Sequence, residues 1–168
     1  MLAAAGCTDF SWCDEESRWK GSEVHRIVEL RLRGTLNRKS VPKDLSGYLK
    51  AIDRFMREKS FVVIDVERRL KDDDLGIQGR LDASGLICGA RALIDFKTGV
   101  CSPAVGLQLA LYGHMLALGA WWARDAVQLK ADGTYSMKIF PIMDWPKDLS
   151  TALSAVRVAK WKQQVGLL

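Results

Sequence analysis

The sequence has few cysteines, and none of them is spaced as a metal-binding pair. Cys7, Cys13, Cys88 and Cys101 form no CxxC motif, which argues against a zinc site or an iron–sulfur cluster. Scattered thiols of this kind are typical of a reduced, intracellular protein. The first residues, MLAAAGC, lack the basic start and the long apolar run of a secretion signal. We therefore expect a cytoplasmic protein.

The chain also lacks a long hydrophobic run, internal repeats and low-complexity segments. A membrane-spanning helix needs about 20 apolar residues, and no stretch approaches that length. We expect residues 1–168 to form one domain with a hydrophobic core, in which 1–20 is a loosely structured N-terminal segment. The net charge of +5 and the pI of about 9.1 favour a polyanionic partner.

Hydrophobic periodicity predicts an α+β fold with elements in the order α-α-β-β-β-α-β-β-α. The predicted helices cover 21–33, 43–59, 103–118 and 146–164. The predicted strands cover 60–70, 75–83, 90–97, 127–130 and 135–142. We expect a central mixed sheet flanked by helices, in which the first three strands form an antiparallel meander.

Two charged residues interrupt an otherwise apolar strand in the stretch ALIDFKTG, residues 92–99. Burying the unpaired charge of Asp95 or Lys97 would cost several kcal/mol. One explanation is a structural salt bridge at the end of the strand. The other explanation is a catalytic site.

The preceding strand brings a second carboxylate to the same place. A tight turn at Cys88-Gly89 would pair Asp82 with Asp95 across an antiparallel hairpin. The Cβ atoms of directly opposed residues lie about 4.5–5.5 Å apart, and Lys97 shares the strand face of Asp95. A bulge at Gly85 would shift this register by one residue. The unshifted hairpin predicts two carboxylates and one ammonium on one face.

These groups match the requirements of phosphodiester hydrolysis. Two carboxylates in one pocket suit Mg²⁺ or Mn²⁺. Such an ion lowers the pKa of a bound water and neutralises charge on a phosphoryl oxygen. A neighbouring lysine can orient or deprotonate that water, or stabilise the charge of the transition state.

The arrangement resembles the PD-(D/E)XK nuclease superfamily, and most closely its RecB-like and phage-exonuclease branch. The resemblance runs from residue 21 to residue 112. GRLD matches the GxxD element of the family, and IDFKTG matches its (D/E)xK element. The resemblance implies a restriction-endonuclease-like fold, with Asp82 and Asp95 as metal ligands and Lys97 as the catalytic lysine.

The same resemblance implies further site residues. GSEVHRIVE is similar to the helix that supplies a histidine ligand, here His25, and QLALY matches a QxxxY motif that contains Gln108 and Tyr112. The backbone carbonyl of Phe96 is implied as a further metal ligand. Glu29, one helical turn after His25, is placed to hold the imidazole tautomer.

Two of these assignments have structural alternatives. His25 could instead be an ordinary helix histidine, and Tyr112 could be a packing residue. Glu67 is a candidate accessory residue because family members often have a glutamate near this position. Asp65 and Glu67 share one strand face, and a one-residue slip decides whether that face meets Asp82.

The resemblance implies a deoxyribonuclease that uses one or two Mg²⁺ or Mn²⁺ ions in phage or recombination–repair DNA processing. We expect an exonuclease-like preference for linear ends or single strands over closed circular duplex. The alternatives are a structure-selective or RNA-directed endonuclease, and an inactive DNA-binding module on the same fold.

Two departures from the family limit the expected partners. Cluster-bearing relatives have three cysteines after the core, whereas no cysteine follows Cys101, so no iron–sulfur cluster is expected. The chain has no helicase motif. Processive digestion would therefore require a homo-oligomeric ring or a helicase or recombination partner.

Overall fold

The first helix begins earlier than the hydrophobic pattern indicates. The computed structural model describes residues 14–118 and 122–167, and helix α1 covers Glu15–Leu32. The side chain of Asp14 accepts a hydrogen bond of 2.7 Å from the backbone N–H of Ser17, and Glu15 and Glu16 occupy the first turn. Such capping and acidic residues stabilise a helix start without apolar periodicity. The prediction of a loose segment over 1–20 was therefore wrong from residue 15 onward, and residues 1–13 lie outside the described ranges.

The remaining helices and strands follow the order of an α+β fold. Helices α2, α3 and α4 cover Ser46–Glu58, Ala104–Met115 and Trp145–Gln164. Strands β1 to β5 cover Val62–Asp72, Ile77–Ile87, Ala90–Lys97, Ala123–Leu129 and Tyr135–Phe140. Short 3-10 turns lie at Arg38–Ser40, Lys43–Leu45 and Ile142–Asp144. Within the described ranges, no helix is long and apolar enough to cross a membrane.

The strands form one five-stranded sheet in the order β1-β2-β3-β4-β5. The pair β3–β4 is parallel, and the other three pairs are antiparallel. Helix α3 makes the crossover that a parallel connection needs. The predicted α+β class with a mixed sheet is confirmed.

Strand β4 begins at Ala123, well before the predicted start at Val127. The hydrophobic pattern did not indicate a strand over residues 123–126 because Arg124 and Asp125 are charged, and charged residues are rarely buried. Both are nonetheless buried in the sheet. Strand β2 likewise continues to Ile87, beyond the predicted end at residue 83.

Two apolar layers cover the sheet. Helices α1 and α2 pack on one cluster, in which Phe55 is fully buried and lies 5.3 Å from Phe61 and 6.0 Å from Phe96, measured between ring centroids. Helix α3 packs on a second cluster that contains Leu93 and Leu109. Burial of these large side chains, at about 1.5–3 kcal/mol each, holds the strand ends that carry the site.

The β2–β3 hairpin has the predicted turn and register. Cys88 and Gly89 have φ values of 48° and 85°, as a two-residue type I′ turn requires. The pairing runs without a shift to Ala83 opposite Ile94, so no bulge forms at Gly85. The next residues along the two strands are Asp82 and Asp95, which the hairpin therefore brings together.

Asp125 is a buried carboxylate that gives the fold a pH dependence. Among the described residues its Oδ1 atom has no hydrogen-bond partner. Burial raises the pKa of Asp125 to about 6, against the opposing charge of Lys59. The pKa of an aspartate in an unfolded chain is about 3.9. The stability that this group contributes is therefore fully present below about pH 4 and is lost as the pH rises through about 6.

Asp125→Asn should raise the free energy of unfolding by about 1–3 kcal/mol near pH 8, because an uncompensated charge is no longer buried. Near pH 4 the substitution should change little, since the carboxyl of the wild-type protein is then neutral. Urea denaturation at both pH values measures the difference. The exposed Asp74→Asn is the control, and an equal effect of Asp125→Asn at both pH values would contradict the assignment.

Candidate metal centre

Three ligand-type side chains from three elements converge at one place. His25 comes from α1, Glu67 from β1 and Asp82 from β2, and one ligand atom of each lies within 4.8 Å of the others. Nδ1 of His25 is 3.5 Å from Oδ2 of Asp82. The side chain of His25 is 31% exposed, whereas those of Asp82 and Glu67 are only 13% and 7% exposed. One imidazole nitrogen and two carboxylates form a donor set that a divalent cation can use.

The helix holds His25 through its buried neighbours. Val24 and Val28 are almost fully buried against the sheet, so α1 has a fixed rotation about its axis. The helix passes close to the end of β3, because a Cβ atom on Gly21 would lie 3.7 Å from Oγ1 of Thr98. His25 therefore faces the end of the strand that carries the DFK sequence.

Glu67 reaches the site through a break in strand alternation. The β1–β2 register shifts between Val63 and Asp65, and Glu67 has a φ of 54°, in the left-handed region. The left-handed backbone at Glu67 interrupts the regular strand alternation that the sequence predicts for Asp65 and Glu67. A left-handed glutamate costs about 1–3 kcal/mol of strain, and such strain concentrates at functional sites. The structure brings Glu67 to Asp82, which the sequence pattern left undecided.

The β1–β2 ribbon also changes layers at this break. Ala83 packs in the cluster beneath α1 and α2, whereas Leu81, of the same strand parity, packs in the cluster beneath α3. Glu67 and Asp82 lie between these two halves of the ribbon. The twist leaves their side chains at the junction of the two layers rather than inside either core.

The two aspartates of the hairpin have different partners. Oδ2 of Asp82 accepts a 2.8 Å hydrogen bond from the backbone N–H of Phe96. Asp95 is 3% exposed, and its Oδ2 lies 2.7 Å from Nζ of Lys97. Burial, and then the charge of Asp95, raise the pKa of Asp82 to about 8. A cation at this place would relieve the repulsion between the two carboxylates.

Lys97 is held in its charged form. Burial lowers the pKa of the ammonium, but the neighbouring Asp95 carboxylate outweighs burial and the pKa is raised overall. A protonated Lys97 can donate hydrogen bonds to a phosphate oxygen or to a water molecule. It is not a proton acceptor in this arrangement.

His25 is biased towards its neutral form, which is the form that binds metals. Burial lowers its pKa, and the positive charge of Lys97 lowers it further. The charge of Asp95 and the backbone of Phe96 act in the opposite direction. The side chain of Phe96 is buried in the core, so its backbone is fixed beside the imidazole.

The helix residues Gln108 and Tyr112 interact with each other. Nε2 of Gln108 donates a 2.9 Å hydrogen bond to the hydroxyl of Tyr112. The ring of Tyr112 is buried over β2, and a Cβ atom on Gly79 would lie 2.5 Å from its Cε1. This contact favours the packing role of Tyr112. Glu29 accepts a 3.0 Å hydrogen bond from Nε of Arg33, which places it beside that arginine.

Arg80 is a residue of the site that the sequence motifs do not indicate. Its Nε atom lies 2.6 Å from Oε2 of Glu67, as an ion pair without a directed hydrogen bond. Burial raises the pKa of Glu67, and the charge of Arg80 partly offsets this rise. A signal was present, because Arg80 precedes Asp82 by two positions and residues so spaced share a strand face.

Comparison of the sequence with protein-family models and with curated proteins gave no match. The chemistry of the cluster is therefore the basis for a functional assignment. It combines a neutral imidazole, several buried carboxylates and a protonated lysine within one junction of the fold.

Proposed function

We propose that the protein is a metal-dependent nuclease of the PD-(D/E)XK type that hydrolyses phosphodiester bonds in DNA. One observation carries the proposal: His25, Glu67 and Asp82 converge beside the Asp95–Lys97 ion pair. The mixed sheet, with its consecutive antiparallel strands β1 to β3, supports a restriction-endonuclease-like fold. The positive net charge of the chain supports a polyanionic substrate.

The residues at the site fit a divalent cation. Oε2 of Glu67 and Oδ2 of Asp95 are buried and, among the described residues, have no directed hydrogen bond. We propose that His25, Glu67 and Asp82 hold Mg²⁺ or Mn²⁺, together with Asp95 and the carbonyl of Phe96. When bound, such an ion neutralises the carboxylates and polarises a phosphoryl oxygen.

The other groups of the site would position the reactants. Lys97 keeps its proton beside Asp95, so its ammonium would stabilise negative charge on the phosphate or orient the attacking water. The backbone N–H of Phe96 fixes one oxygen of Asp82. We propose that Gln108 positions the hydroxyl of Tyr112 through its hydrogen bond, and that Tyr112 forms part of the wall of the site.

The purified protein should hydrolyse linear DNA in Mg²⁺ or Mn²⁺, and EDTA should stop the reaction. Ca²⁺ should bind but support little turnover, because its looser coordination positions the reacting water poorly. Time courses with end-labelled linear duplex, single strands, closed circular duplex and RNA measure the activity and its preference. We expect linear ends and single strands to be cleaved faster than closed circles.

The Asp95→Asn protein, prepared in the same way, controls for contaminating nucleases. Undiminished cleavage in EDTA would contradict the metal mechanism. If closed circular duplex is cut as fast as linear DNA, the end preference is wrong and the endonuclease alternative is favoured. Cleavage of RNA alone would reject DNA as the substrate.

A further inference from the structure

We infer that Arg80 binds a substrate phosphate beside the candidate metal centre, and that it is released from Glu67 for this task when a divalent cation binds. This inference rests on the proposed function, and it adds a substrate contact to the same site.

The ion pair of Arg80 connects the buried site to the surface. Nε of Arg80 lies 2.6 Å from Oε2 of Glu67, yet the side chain of Arg80 is 61% exposed and that of Glu67 only 7%. Among the described residues, no hydrogen bond is made by the two Nη atoms of Arg80. The guanidinium therefore keeps free donors, and its fork of N–H groups matches the oxygens of a phosphate.

A cation and Arg80 compete for the same carboxylate. Glu67 is one of the three side chains whose ligand atoms converge, and its Oε2 already faces the guanidinium. The backbone of Glu67 is held in the left-handed region and its side chain is buried, whereas Arg80 is long and mostly in solvent. Arg80 is therefore the partner that moves when the charge of Glu67 is neutralised by another cation.

The surroundings of Arg80 favour a polyanion as its second partner. Arg69 lies directly opposite Arg80 in the β1–β2 ladder, so the two side chains share a face of the ribbon. The neighbouring residues Leu70 and Leu81 are buried in the cluster beneath α3. Two directly opposed arginines repel each other. A phosphate between them would remove this repulsion and would lie next to Glu67 and the candidate metal centre.

The test compares Arg80→Met with Arg57→Met, which removes an equal charge from the exposed end of α2. Calorimetric titration with Mn²⁺ should show about threefold to tenfold tighter binding by Arg80→Met, because the competing charge is gone. In Ca²⁺, binding of a labelled single-stranded oligodeoxynucleotide should weaken by about tenfold, and the slope of log affinity against log salt should fall by about 0.7. Arg57→Met should change neither.

Tighter Mn²⁺ binding together with weaker oligonucleotide binding distinguishes a phosphate-binding role of Arg80 from a purely structural one. Weaker Mn²⁺ binding by Arg80→Met, or unchanged oligonucleotide binding, would overturn the inference while the wild-type protein still binds Mn²⁺ and cleaves DNA. A wild-type protein that neither binds Mn²⁺ nor cleaves would instead reject the proposed function. Arg80→Lys, which keeps the charge, should retain the wild-type salt slope, and a melting curve of each variant verifies its fold.

Discussion

Replacement of Lys97 by methionine is expected to lower the rate of DNA cleavage by about a hundredfold to a thousandfold, the cost of losing one preorganised charge at a transition state. The affinity for Mn²⁺ should be retained, because the ammonium is not a ligand. Asp82→Asn should abolish both cleavage and tight Mn²⁺ binding, since Asp82 belongs to the converging ligand set. Initial rates and calorimetric titrations of the two variants separate these roles.

Lys50→Met is the matched control, because it removes an exposed lysine from α2. Its cleavage rate and its Mn²⁺ affinity should equal those of the wild-type protein. A Lys97→Met protein that cleaves at the wild-type rate would show that the Asp95–Lys97 pair is only a structural salt bridge. Unchanged Mn²⁺ affinity in Asp82→Asn would show that the ion binds elsewhere.

The second large effect is expected for stability, at Arg124. Its side chain is completely buried, donates from Nη1 to the carbonyl of Gly106 and from Nη2 to that of Pro141, and lies 2.7 Å from Oδ2 of Asp148. It also lies over the ring of Trp145. Arg124→Met would leave a carboxylate and two carbonyls without this donor. We expect the free energy of unfolding to fall by about 3–5 kcal/mol, as measured by urea denaturation.

A matched exposed pair calibrates this expectation. Nε of Arg54 lies 2.6 Å from Oε1 of Glu58 on the surface of α2, and Arg54→Met should cost about 0.5 kcal/mol or less. The double variant Arg124→Met/Asp148→Leu should recover part of the loss, because no unpaired carboxylate remains. A loss at Arg124 no larger than that at Arg54 would show that the buried pair contributes no net stability.

The features that follow from local sequence were predictable. The Cys88-Gly89 turn sets the register of its hairpin, because positive φ values are tolerated there and a two-residue loop leaves no freedom of pairing. The meeting of Asp82 with Asp95 and Lys97 follows from that register and from strand alternation. The α+β class follows from the periods of the apolar residues, which reflect burial of one face of each element.

Other features depend on contacts between distant parts of the chain. The left-handed Glu67 lies where the β1–β2 ribbon passes from one helical layer to the other, and no local pattern encodes that passage. Strand β4 was missed at Arg124 because its charge is compensated by α3, α4 and the loop before α4, all remote in sequence. The role inferred for Arg80 also depends on tertiary structure. In the sequence it is an ordinary surface arginine, and only the pairing of β1 with β2 places the buried carboxylate of Glu67 beside it. Alternation and turn chemistry act over a few residues, whereas the pairing of buried charges is settled by packing of the whole chain.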